Sequence, residues 1–164
     1  MNIKKDFLVE HLNLKKEGSL KELGILILKP DCENKEIIEL ESFVLENDLE
    51  LLSEKQVILS LSEIIALYPE LFSYSDKDLE FGLEWKKETI RYMSSGQSRC
   101  YLFKGEDAIK KLMGFKYLLR EKYGKVNHPT SPMSPKDFHE KVIRNLVHVA
   151  DSVEFQSTLW ILFS

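Results

Sequence analysis

The side chains best suited to chemistry in this chain are a histidine at 148 and a lysine at 29. A neutral imidazole carries a lone pair that can attack phosphorus and form a covalent intermediate. Its ordinary pKa of about 6.5 leaves it mostly neutral, hence nucleophilic, at cellular pH. Between Val147 and Val149, the same ring also suits a satisfied core position. Lys29 stands where an apolar run stops, before Pro30 and Asp31. An ammonium there can meet phosphate oxygens as a point charge, or simply be a solvated strand end. The fork of Arg120 suits bidentate phosphate contact, or pairing with Glu121 on a helix surface. Asn145 can both donate and accept. Tyr68 suits a ligand contact, a core or a surface equally. Asp151 is best placed to cap a helix.

Several elements must position these groups. Phe7, Leu8, His11 and Leu12 share a helical face over residues 4–14. The run Leu23 to Leu28 reads as a buried central strand, stopped by Pro30. Residues 35–47 carry helical spacing, and 49–60 read as a second strand. Ser60 or Ser62 can cap a helix through Leu67. Asp76 or Asp78 can cap another, running through Met93 and closed by Ser95-Gly96. Cys100 to Phe103 is a third strand. A short helix, 106–113, closes at Gly114, and 116–123 is helical again. Residues 127–135, rich in Pro and Ser, form a loop. Helix over 137–145, a last short helix capped at Asp151 or Ser152, and a fourth strand at Leu159 to Phe163 complete the order. That order predicts an α+β fold, a ferredoxin-like four-stranded and mainly antiparallel sheet covered by helices.

The bulk composition agrees with such a domain. At 164 residues one domain is expected, able to bury roughly 70% of its unfolded surface. A net charge of −4, from 23 basic and 27 acidic side chains, excludes a general nucleic-acid surface. No run approaches the roughly 20 apolar residues that span a bilayer. The first residues lack the apolar core of a signal peptide. Cys32 and Cys100 form no metal-binding motif and are expected to be reduced, in a cytoplasmic protein.

Three ordered segments resemble the nucleoside diphosphate kinase family. They are Ile27-Leu28-Lys29-Pro30-Asp31, then Tyr92-Met93-Ser94-Ser95-Gly96 followed by a strand and Lys104-Gly105-Glu106-Asp107-Ala108, and finally Arg144-Asn145-Leu146-Val147-His148-Val149-Ala150-Asp151-Ser152-Val153-Glu154. The likeness runs from residue 23 to 163. It implies residues 21–164 as the domain, with 1–20 as an N-terminal helical extension. It implies transfer of a γ-phosphate from a nucleoside triphosphate to a diphosphate, by a ping-pong route through a phosphohistidine at His148. Mg²⁺ would come mainly with the nucleotide, with Asp151 nearby. Lys29, Tyr68, Arg120 and Asn145 would contact the nucleotide, and Lys110 stands nearest to the family's second phosphate-binding arginine. Self-association into a homo-oligomer is also implied.

The chain departs from the family pattern in its supporting residues. Val149 and Ala150 replace the glycine and serine that follow the histidine. The family's glutamate, eleven residues after its histidine, falls on Leu159, which leaves the imidazole without its expected orienting partner. The segment from Gly114 to Arg120 lacks the family's proline-containing clamp loop. These departures leave a second reading open: a nucleotide-binding or assembly module of the same fold with little transfer activity.

Overall fold

The computed structural model describes residues 3–69, 72, 79–80, 83–127 and 132–163. The chain runs through α1 (Ile3–Lys16), β1 (Lys21–Leu28), α2 (Asn34–Glu46), β2 (Glu50–Val57) and α3 (Leu61–Leu67). A two-stranded ribbon, β3 (Leu79–Glu80) and β4 (Leu83–Glu84), leads into α4 (Trp85–Met93). Then follow β5 (Ser98–Glu106), α5 (Ala108–Lys122), α6 (Pro135–Phe138) with a π-helical turn His139–Ile143, β6 (Val147–Val149) and α7 (Phe155–Leu162).

The main sheet has the order β2-β5-β1-β6, with every neighbouring pair antiparallel. β1 and β2 therefore point the same way with β5 between them, which is the split βαβ arrangement of the expected ferredoxin-like fold. β1 lies inside the sheet and is covered on both faces, so Leu23 to Leu28 read as an unbroken apolar run rather than an alternation. Leu23, Ile25 and Ile27 join the layer built with Ile64, Met93, Phe138 and Phe155. Leu26 and Leu28 face the opposite layer, with Leu40, Leu112, Phe115 and Leu119 from α2 and α5. Gly24 lets α5 come close, since a Cβ there would lie 2.7 Å from Leu112 Cδ1.

Local capping follows sequence chemistry. Ser60 Oγ accepts from the Glu63 amide at 3.3 Å while the Ser60 amide donates to Glu63 Oε2 at 2.7 Å, a reciprocal box that starts α3. Ser134 Oγ accepts from the Asp137 amide at 3.1 Å, with Pro135 at the first helical position. α1 docks through Phe7, Leu8 and Leu14, and its His11 ring lies 4.7 Å from that of Phe155. Among the described residues no helix is long and apolar enough to cross a membrane.

Four expectations are corrected. The fourth strand is Val147–Val149, not Leu159 to Phe163, and the latter run lies mostly in α7. A continuous apolar run carries no period of its own; in α7 the buried positions are Phe155, Thr158, Leu159 and Leu162, which is helical spacing. The two helices expected around Gly114 are one, α5, because an exposed glycine within a helix weakens it without breaking it. Helix over 137–145 is instead the short α6 and its π-turn, ending before Arg144. α4 begins only at Trp85. The caps proposed at Asp76 and Asp78, and loop residues 128–131, lie outside the described residues.

Candidate active site

β6 pairs with β1 in a register that sets Ile27 opposite His148 and Leu28 opposite Val147. Val147 and Val149 point into the α2/α5 layer. Strand alternation therefore sends His148 to the other face, the face of Ile27. Lys29 lies two residues beyond Ile27 and continues the same face. Its amide donates to the Leu146 carbonyl at 2.8 Å, which fixes the end of β1 against the start of β6. Leu146 itself has φ of 70°, so the chain turns sharply between Asn145 and the strand. His148 and Lys29 thus come together because two antiparallel strands end side by side.

Tyr68, at the C-terminal end of α3, touches both groups. Its ring meets the His148 ring edge-on at 5.2 Å between centroids, and the Lys29 ammonium lies 5.5 Å from its centre. Burial raises the Tyr68 hydroxyl above its ordinary pKa, so it stays neutral. Lys29 is only 5% exposed, and its Nζ donates to Asn145 Oδ1 at 2.6 Å. Burial and the nearby Arg120 charge lower its pKa to about 7. A second tyrosine, Tyr92, lies between Lys29 and Arg144, whose charged groups are each 5.8 Å from its centroid. Its hydroxyl donates to Asp31, which also pairs with Arg144 at 3.3 Å.

The orienting carboxylate that sequence reading could not find comes from Glu154. Its Oε2 lies 3.3 Å from His148 Nε2, across the turn between β6 and α7. The contact falls short of an aligned hydrogen bond. A carboxylate accepts, so the nitrogen facing it carries the proton and the lone pair lies on Nδ1. Burial holds the His148 pKa below its ordinary value, with Lys29 and Lys116 adding to the effect and Glu154 opposing it. The ring is therefore neutral near pH 7. The signal for Glu154 was its place six residues on, which a tight turn brings back beside the strand. Asp151 makes that turn: its Oδ1 accepts from the Val153 and Glu154 amides at 2.9 and 2.8 Å.

Arg120 is 7% exposed and straps the edge of β6. Its Nε donates to the Asn145 carbonyl at 3.1 Å, one terminal nitrogen to Asn127 Oδ1 at 2.7 Å and the other to the Val147 carbonyl at 2.7 Å. Lys110 is exposed in the first turn of α5, away from this group. Lys116, not singled out from sequence, stands one turn before Arg120 and within electrostatic reach of Glu154, Asp151 and His148. A groove of about 460 Å³ between α1 and α7, lined by residues such as Leu8, Leu159 and Trp160, includes none of these groups among its described residues.

Among the described residues no cluster of His, Cys, Asp or Glu could cage a metal ion. Asp151 uses one carboxylate oxygen as a cap, and Glu154 faces the imidazole. Such a donor set fits Mg²⁺ arriving on nucleotide phosphates, with at most one carboxylate from the chain.

No protein-family model and no curated protein matches the chain. Solved structures do. An NDP kinase from Pyrobaculum aerophilum aligns at 22% identity and TM-score 0.58, over 88% of this chain and 96% of its own. The nucleoside diphosphate kinase of Aquifex aeolicus aligns at 21% identity and TM-score 0.59, with the same coverage. A halophilic nucleoside diphosphate kinase from Halobacterium salinarum, solved in complex with CDP, aligns at 15% identity and TM-score 0.60, covering 88% of each chain. With its sheet order and these likenesses together, this chain has the fold of the nucleoside diphosphate kinases.

Proposed function

We propose that the protein is a phosphotransferase that moves a γ-phosphate from a nucleoside triphosphate to a nucleoside diphosphate through a phosphohistidine at His148. One observation carries the reading. A neutral imidazole and a buried ammonium that forms no ion pair among the described residues meet the same tyrosine ring on one face of the sheet. A pure scaffold has no use for that pairing. Cations lowered by desolvation and by the Arg120 charge, as at the buried Lys29 and the half-buried Lys116, gain most from an anion that enters between them.

In the proposed reaction Nδ1 of His148 attacks the γ-phosphorus, the bond to the bridging oxygen breaks, and the nucleoside diphosphate leaves with that electron pair. A second diphosphate then attacks phosphohistidine through a terminal phosphate oxygen and restores the free ring. Glu154 faces the ring's Nε2 and steadies positive charge as it develops. Lys29 meets the transferring phosphoryl oxygens, where charge spreads in the transition state. Tyr68 walls the ring and the amine, and Asn145 holds the amine and offers its amide to ribose. Mg²⁺ on the nucleotide would neutralise phosphate charge. α1 is read as an addition to a domain of residues 21–164, and homo-oligomerisation in the cytoplasm is part of the proposal.

A second reading, binding without transfer, draws on the continuous α5 and the buried Ala150. A steady-state assay with ATP and GDP separates the two. Parallel double-reciprocal lines support ping-pong transfer, whereas ADP binding without turnover supports the module.

A further inference from the structure

We propose that Lys116 is the second cation that meets the nucleotide's terminal phosphates, and that Arg120 is a positioning residue that holds β6 beneath them. The inference rests on the nucleotide reading above and assigns its charges to particular side chains.

Arg120 has each of its three nitrogens on an oxygen of the protein, two of them backbone carbonyls at the edge of β6. Its planar fork is held in the strand-end framework, and the residue is buried. Moving it toward a ligand would strip the Val147 carbonyl of its donor and leave the Asn145 carbonyl with the Val147 amide alone, and a buried carbonyl left without a donor is strongly disfavoured. Its fixed charge nevertheless raises the local potential.

Lys110 lies six residues before Lys116, about 9 Å along the helix at 1.5 Å per residue. At 3.6 residues per turn it also faces a different side. It is exposed in the first turn of α5.

Lys116 differs from both. It precedes Arg120 by four residues, so the two share one face of α5. It is half-buried, and its ammonium makes no ion pair among the described residues; its near contact is the neighbouring Tyr117 ring, at 4.8 Å from the centroid. Arg120, on that same face, reaches the Val147 carbonyl beside His148, so Lys116 lies on the β6 side of the helix, within electrostatic reach of Glu154, Asp151 and His148. Burial and Arg120 hold its pKa down to about 8, as expected of a cation lacking a close counter-charge. A flexible ammonium of this kind can swing onto a phosphate without breaking any protein contact stronger than its cation–π contact. Together Lys29 at the end of β1 and Lys116 on α5 flank His148 from two elements, so the terminal phosphates would lie between them.

Calorimetric titration of ADP and AMP into wild type, Lys116→Gln, Lys116→Arg and Lys110→Gln tests the assignment. Lys116→Gln is expected to weaken ADP binding roughly tenfold to a hundredfold, the range of a charge-assisted contact, with AMP affinity little changed. Lys116→Arg should restore most ADP affinity, and Lys110→Gln should match wild type. Wild-type ADP affinity in Lys116→Gln would overturn the assignment, as would equal losses for ADP and AMP. Wild type that binds no ADP would instead remove the nucleotide reading itself, and this assignment with it.

Discussion

His148 and Glu154 face each other across the turn that joins β6 to α7, with Nε2 and Oε2 3.3 Å apart. The pairing follows from local geometry. β6 ends at Val149, Asp151 caps the next turn, and Glu154 returns to the strand just before α7 begins. Replacing Glu154 by Gln should therefore slow labelling of His148 by roughly a hundredfold or more, as loss of an orienting carboxylate typically does. ADP affinity should stay near wild type. Rapid-quench labelling, set beside an ADP titration, checks both. An unchanged labelling rate would contradict the orienting role.

The Lys29 ammonium makes apo stability depend on pH. Its pKa is about 7 folded and 10.5 in the unfolded chain. Between those values the unfolded state binds more protons, so stability rises with pH across that window. Urea unfolding of wild type at pH 7 and pH 9 should show the later midpoint at pH 9. Lys29→Met should be more stable than wild type at pH 7 and lose this part of the pH dependence, while ADP binding falls. A midpoint that drops from pH 7 to pH 9 in wild type but not in Lys29→Met would contradict the buried-cation assignment.

Phosphoryl transfer should have a bell-shaped profile in kcat/KM. Activity rises as His148 loses its proton, at a pH below 6.5 because burial lowers its pKa. It falls as Lys29 becomes neutral, near pH 7 in the free protein. Lys29→Arg cannot lose its proton in this range, so whatever activity it keeps should retain the rising limb, with the falling limb moved up toward the titration of Lys116 at about 8. Initial rates between pH 5 and pH 9 decide the point.

Arg120→Met should destabilise the fold by roughly 1–3 kcal/mol, because it leaves the buried Val147 carbonyl without a donor and removes one of the two donors to the Asn145 carbonyl. Chemical denaturation measures this. A loss under about 0.5 kcal/mol, the ordinary scatter of surface changes, would place the residue outside the β6 framework.

Much of the fold was readable because strong local signals agreed with tertiary packing. Leu23 to Leu28, a short apolar run stopped by Pro30, read best as a covered strand, and Ser60 with Glu63 marked the start of α3. The C-terminal region misled for a physical reason. Leu159 to Phe163 is apolar at every position, so only tertiary packing chooses between strand and helix. The real edge strand is three residues long and carries its imidazole on the face opposite its two valines. Within the site, Lys29, Tyr68, Asn145 and His148, which the family resemblance singles out, lie side by side. Glu154 closed the matched C-terminal segment without an assigned role, and Lys116 had none, because a turn and a helix face bring them near. Gly114 looked like a helix stop, yet α5 passes through it and carries Lys116 toward the site.

The account stands or falls on a covalent bond to one nitrogen. Incubation with γ-labelled ATP, followed by a chase with unlabelled GDP, tests it directly. Predicted is label that is acid-labile and base-stable, absent from His148→Ala, and passed to GTP in the chase. Label that persists in His148→Ala, or a wild-type protein that binds ATP and never takes up label, would contradict the phosphohistidine mechanism.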